Sequence, residues 1–423
     1  MAMSRHDARG SAITGATPVA LQAYEHALAL FQSWRQGVEA PLARALRDAP
    51  RFVMAHVLQA YMLVGSRDPS RIRSARPLLT HVAGMPANEV ERLHLAALAS
   101  VLDDDYEGAR AMLGTVLRLQ PRDVLALQVA HAFDHVTGDA TCLRDRVAAV
   151  LPAWSATLPG YDAVLAMHAF GLEECGEYER AEQVARAALA LNPANARAHH
   201  VMAHVFEMTA RPETGIRWMN EHVTRWGVDT TVATHGHWHL ALFHLALGET
   251  DRALALYDRC VRRGHSTEVT DLIDAAGLLW RIQLQEGDTG PRPAELAEAW
   301  AAHTDDAFCT FNDLHAMLAF VAARDWVRVQ RLERVLAQSQ ARQTRHGLTT
   351  RQFGLSACRA LAAFGCGDDT VAITLLARLP VQAHRIGGSQ AQRDVLDLTL
   401  QRALARVRRP VERAQSERLV CIS

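Results

Sequence analysis

Three side chains in the stretch ARAHHVMAHVFEM, residues 196–208, have the types and spacing to do chemistry: His200, His204 and Glu207. On an α-helix, which turns about 100° per residue, offsets of four and three bring all three within an arc of roughly 60° on one face. Two imidazoles one turn apart, with a carboxylate one turn further on, suit a divalent metal or an acid–base pair, and His200, His204 and Glu207 are the candidate ligands in the first case. The signature is weak alone, because HxxxH here lacks the internal Glu of HExxH. The chain also has no GxGxxG after a strand, no GxxxxGK and no GxSxG.

The element that must position these groups is a helix, and so is nearly everything around it. From Pro18 onward apolar residues recur at three and four, Ala and Leu dominate, and alternating β-branched runs are almost absent, so the reading is all-α with no strand. The helices are paired by a repeat. In GEYERAEQVARAALALNP, Gly176, Tyr178, Ala181 and Pro193 fall at offsets 0, 2, 5 and 17, the spacing of a tetratricopeptide repeat, whose period is about 34 residues. DDYEGARAMLGTVLRLQP repeats it with Asp104, Tyr106, Ala109 and Pro121; GETDRALALYDRC repeats part of it with Gly248 and Ala253; and degenerate copies follow at Gly138, Gly287 and Gly367. Small residues let paired helices approach, the aromatic fills the gap, and the proline ends the second helix. The architecture expected is an irregular helical-hairpin solenoid of this type, wrapped around a concave pocket. It spans residues 18–408 as one domain with a loop break near 286–295, after a flexible leader over 1–17 and before a tail over 409–423.

With 423 residues, 49% of them hydrophobic, core burial is not limiting. Lys plus Arg (45) and Asp plus Glu (46) nearly cancel, which removes the field that nucleic acid or an anionic membrane surface would require, so neither is an expected partner. No signal-length or membrane-length apolar stretch is present, and a cytoplasmic protein is expected. The seven cysteines, including Cys421, are scattered and never spaced as CxxC, and read as plain thiols.

In tetratricopeptide arrays, positions 2, 5, 9 and 12 of each repeat point into the concave face. Counting from Gly176 sets position 1 at Ala196, so His200, His204 and Glu207 occupy positions 5, 9 and 12. The same count turns Gln128 and His135, His235 and Trp238, and Asp274 and Arg281 inward, whereas His237 and His244 fall on the packing face. Peptide-binding grooves of this class favour Lys, Asn and Arg at such positions. Imidazoles and carboxylates predominate here, groups that titrate near neutral pH or bind metals. Trp238 is read as a stacking wall, and Asp274 and Arg281, seven apart on one helix, have the option of pairing with each other.

The stretch THGHWHLALFHLALGETDRALALYD, together with FVMAHVLQAYMLVG, RDVLALQVAHAFDHVTGD, LIDAAGLLWRIQL, FNDLHAMLAF and RIGGSQAQRDVLDL, resembles the tetratricopeptide repeat protein 38 family over almost the whole chain. The resemblance implies the same fold and assigns family positions to His131, His200, His204, Glu207, His235, Trp238 and His239. It continues with Asp274, Arg281, Asn312, Asp313 and His315, and ends on Ser389, Gln392, Arg393 and Asp394. It supplies no reaction. His131, His239, Asn312, Asp313 and His315 lie off the inward positions of the count. In GGSQAQRD, 387–394, Ser389 is placed to cap a helix and Arg393 to meet an anion.

Two functional readings follow. In the first, the chain is a small-molecule enzyme of hydrolase or lyase type, metal-assisted or not. His200, His204, Glu207, His235, His239 and Asp274 are then catalytic, and the ligand is small, polar and anionic, held by Arg281 and Arg393. His131, Trp238, Asn312, Asp313, His315, Ser389, Gln392 and Asp394 would complete the binding surface. In the second, the same groove binds a protein or peptide without turnover. No cofactor is named by the sequence beyond room for a divalent metal.

Overall fold

A computed structural model describes residues 5–379 and 381–420; Met1–Ser4, Pro380 and Cys421–Ser423 lie outside the described residues. The fold is all-α, about 74% helical, of the tetratricopeptide type. Its backbone contacts gather into two compact units, Met1–Glu249 and Thr250–Ser423. No helix among the described residues is long and apolar enough to cross a membrane.

In the first unit helices pair as the repeat spacing requires. Glu89–Leu102 packs on Tyr106–Leu119, Val124–Val136 on Ala140–Val150, Tyr161–Glu174 on Tyr178–Leu191, and Ala196–Met208 on Pro212–Glu221. The first members of the last three pairs, joined by Ala233–Ala246, run side by side and share one inner face. The turn between paired helices explains the motif's first position. Gly176 has φ of 80°, and the amide of Glu177 bonds back to the carbonyl of Leu172, closing the helix end with a left-handed residue. Asp104 adopts the same conformation at φ of 61°, which is why a residue other than glycine stands there in the earlier copy. Ala169, Ala181 and Ala203 are fully buried at the helix crossings.

Residues 5–17 correct the expectation of a flexible leader. Arg5–His6 pairs antiparallel with Ala12–Ile13, and Arg9, buried in the turn, forms ion pairs with Asp7 at 3.0 Å and Glu25 at 2.9 Å. A local ionic clasp, invisible to hydrophobic periodicity, orders a stretch rich in small polar residues.

In the second unit the helices Val269–Leu284, Thr310–Ala322 and Leu355–Gly365 pack in sequence, and the 286–295 stretch is a loop running into the helix Arg292–Trp300. The chain then returns. The last helix, Val395–Val420, lies against Val269–Leu284, with the Trp280 indole donating to Thr399 Oγ1 at 2.8 Å. The tail expected from Arg409 therefore continues as helix to Val420.

Candidate functional site

The helix Ala196–Met208 is fixed at its start by Asn195, whose side chain accepts from the Ala198 amide and donates to Asp162 at 2.9 Å. Anchored this way, it sets His200, His204 and Glu207 on the inner face. The Nε2 atoms of His200 and His204 lie 3.0 Å apart, so one ring donates and the other accepts. From the next repeat His239 donates Nδ1–H to Glu207 Oε2 at 2.8 Å, and its ring centroid lies 4.5 Å from that of His204. His235 completes the group, with centroids 5.0 Å from His200 and 4.7 Å from His239. One nitrogen from each of His200, His204, His235 and His239 falls within 4.8 Å of the others.

Around this tetrad the packing is tight. Phe170 touches His131, His135, His200 and His204 with ring separations between 5.4 and 6.0 Å. Glu173 Oε2 stands 3.6 Å from His204 Nδ1. His131 faces Phe170 and donates to the Met167 carbonyl at 3.0 Å. Trp238 is 1% exposed, with one face stacked on His235 at 5.0 Å and 14°. Burial holds His200 well below the usual histidine range, reinforced by His204, His235, His239 and Arg197, and burial takes His204 down to about 3.

The inner face carries an occupant from the chain itself. The segment after the helix Pro18–Gln32 crosses it, with Trp34 edge-on to His200 at 5.4 Å and stacked over the Arg197 guanidinium at 4.1 Å. Arg35 donates to the carbonyls of Ala194, Arg225 and Val228, and Gln128 donates to the Phe31 carbonyl at 3.1 Å. The amides of Gln36 and Thr231 bond to the carbonyls of Asp229 and Trp34 at 3.0 and 2.9 Å, a short bridge of strand type. Arg197 is 5% exposed, its Nε has no hydrogen-bond partner, and burial lowers it to about 9.

The remaining predicted residues belong to the second unit. Asp274 and Arg281 are both buried on the helix Val269–Leu284. Arg281 pairs with Asp394 and donates to the carbonyls of Gly277 and Ala391. Ser389 and Gln392 form a reciprocal capping box, and Arg393 donates to the Gly388 carbonyl. Asn312 is buried, Asp313 accepts from His346 Nε2 at 2.7 Å, and His315 donates to the Phe311 carbonyl at 2.8 Å. Burial raises Asp313 above the usual carboxylate range, with His346 opposing the rise. The expected anion receptor is thus corrected. Arg281 is already neutralised by a carboxylate of its own unit, so it presents no open charge to a small anionic ligand.

Sequence reasoning missed four contributors. Arg197, Phe170 and Glu173 stand at positions 2, 9 and 12 of the same count and were accessible to it; His346 carries no periodic signal.

No known family profile matches the chain. Among solved structures it is similar to the Cut9–Hcn1 hetero-tetramer of the APC/C, at 13% identity and a TM-score of 0.41 over 83% of this chain, which spans 63% of that one. It is also similar to a human IFIT1 dimer with m7Gppp-AAAA, at 12% identity and a TM-score of 0.43 over 92% of this chain and 86% of that one. Yeast Tom70 matches at 10% identity and a TM-score of 0.43, over 92% of this chain and 88% of that one. Likenesses this distant speak to the fold alone.

The reading as a hydrolase or lyase is nevertheless corrected. His200, His204 and His239 are buried, with Phe170 and Trp34 packed against the group, so the rings are closed to a substrate. The expectation of a small polar ligand is corrected with it, because Arg281, expected to hold that ligand, pairs with Asp394.

Proposed function

We propose that this chain is a non-catalytic scaffold of the tetratricopeptide type, holding a protein segment on the inner face of its first unit. The observation that supports this most directly is the bound state of residues 31–36. The inner face and its flanking loops already hold the helix end and turn of residues 31–36 by main-chain hydrogen bonds, an arginine reaching three carbonyls and one anchoring tryptophan. Recognition by backbone bonds plus one aromatic anchor is a general mode of peptide binding. A partner segment would displace residues 31–36, and Arg197, buried with no carboxylate beside it among the described residues, would receive a carboxylate of that partner. We further assign the chain to the tetratricopeptide repeat protein 38 family, on the six stretches of shared pattern, and to the cytoplasm.

The test uses the full chain carrying Trp34→Ala and Arg35→Ala and a fluorescein-labelled synthetic peptide of residues 31–38. Fluorescence anisotropy should show saturable binding to the variant, weaker binding to the unaltered chain, and loss of binding when the peptide's tryptophan is replaced by alanine. A variant with an unchanged helical signal and no saturable binding would overturn the reading.

A further inference from the structure

Four imidazoles converge between two neighbouring repeats: His200 and His204 from the helix Ala196–Met208, His235 and His239 from the helix Ala233–Ala246. One nitrogen from each lies within 4.8 Å of the others, and the His200–His204 pair is at 3.0 Å. In a tetrahedral site with zinc–nitrogen bonds of 2.0–2.1 Å, the edges between ligand nitrogens are about 3.3 Å. The His200–His204 spacing of 3.0 Å is close to that edge, and the remaining pairs lie within 4.8 Å.

The groups behind the rings are those a metal site uses. Metal-bound histidines typically give their second nitrogen to a carboxylate, which fixes ring orientation and raises donor strength. His239 gives Nδ1 to Glu207 at 2.8 Å, and Glu173 stands 3.6 Å from His204 Nδ1. Both carboxylates flank the tetrad, and their two negative charges offset a buried dication despite nearby Arg197. Packing alone gives no reason to gather four imidazoles whose polar atoms would be better replaced by apolar ones.

We propose that His200, His204, His235 and His239 bind one zinc-class divalent cation through four imidazole nitrogens, as a closed structural site tying two adjacent repeats together. Glu207, a candidate ligand by spacing, is a positioning residue that acts through His239. Imidazole donors in tetrahedral array suit zinc. A shell filled by four protein ligands leaves no open position for water or substrate, which separates a structural from a catalytic site. The assignment goes beyond the scaffold reading and stands whether or not the inner face takes a partner.

The experiment uses the full chain stripped with chelator and titrated with Zn²⁺ against a chromophoric competitor, with Co²⁺ as the spectroscopic probe. The unaltered chain should take up one equivalent of Zn²⁺, and its Co²⁺ form should show the intense visible bands of four-coordinate cobalt. Glu207→Gln should weaken Zn²⁺ binding about 10- to 100-fold while keeping those bands. His235→Gln, at the least buried of the four positions, should abolish the four-nitrogen spectrum with the helical signal retained. His204→Ala should abolish uptake at this site. If that variant does not fold, the two milder ones decide. No uptake by the unaltered chain, or affinities and spectra unchanged in Glu207→Gln and His235→Gln, would overturn the assignment.

Discussion

Glu207 Oε2 accepts a hydrogen bond from His239 Nδ1 across 2.8 Å, joining side chains of two consecutive repeats. The His239 side chain is fully buried and that of Glu207 17% exposed, so the bond is partly shielded from water. Removing one partner of such a bond leaves the other in a poor environment. Glu207→Ala should therefore lower the unfolding free energy of the first unit by about 1 to 3 kcal/mol in urea denaturation. Stability unchanged within error would mean that the pair contributes nothing to joining the repeats.

Gly171 tests the close approach of helices. A Cβ there would sit 2.6 Å from Arg144 Cα and 2.7 Å from the Leu143 carbonyl oxygen, backbone atoms of the neighbouring helix that cannot rotate away. Gly171→Ala should destabilise by about 1 to 3 kcal/mol, although alanine is the better helix former. A stabilised variant in thermal denaturation would contradict the crossing described here.

Arg197 offers a prediction of opposite sign. It is a buried guanidinium over Trp34 with no carboxylate beside it among the described residues, and desolvation by burial lowers its pKa. Arg197→Met keeps the length of the chain and removes the buried charge, so unfolding free energy should rise, by about 1 kcal/mol or more. Peptide binding in the assay above should weaken in the same variant. A clear loss of stability would show that the contact with Trp34 outweighs desolvation.

His131 gives the pH dependence. Burial lowers it to about 3, with Arg197 and Arg146 adding repulsion, while Phe170 and the Met167 carbonyl face it from the adjoining helix. Its folded pKa lies below the ordinary 6.5, so between those values the unfolded chain binds more protons than the folded one. The stability involved is fully present above pH 6.5 and is lost as pH falls toward 3. Urea midpoints measured from pH 7 to pH 4 should drop, and His131→Gln should drop less steeply over the same range. Parallel slopes in the two proteins would remove His131 as a source.

The parts legible in the sequence are those set by local spacing. Gly176, Tyr178, Ala181 and Pro193 announce the helical hairpin because each solves a problem of one turn or one crossing. His200, His204 and Glu207 were found because one helix carries all three. The count placed His235 inward and left His239 off it, yet both rings join the tetrad, because side chains one turn apart reach the same neighbour across a helix contact. What escaped depends on distant pairing. Arg35 meets Ala194 and Arg225 across 159 and 190 residues, and Arg281 meets Asp394 across 113, separations that leave no periodic trace. The enzyme reading failed on a further point. Histidine types suggest titration near neutrality, but burial here shifts His200 and His204 far below it.

The central claim is that the inner face of the first unit binds a backbone segment, presently residues 31–36. Amide hydrogen exchange tests it most directly, because Gln36 and Thr231 donate to Asp229 and Trp34 in a bridge that exists only while the segment is seated. Both amides should exchange slowly in the unaltered chain and quickly in Arg35→Ala, while amides within Ala196–Met208 keep their protection in both. Rapid exchange at Gln36 and Thr231 in the unaltered chain, beside a protected helix, would contradict the account.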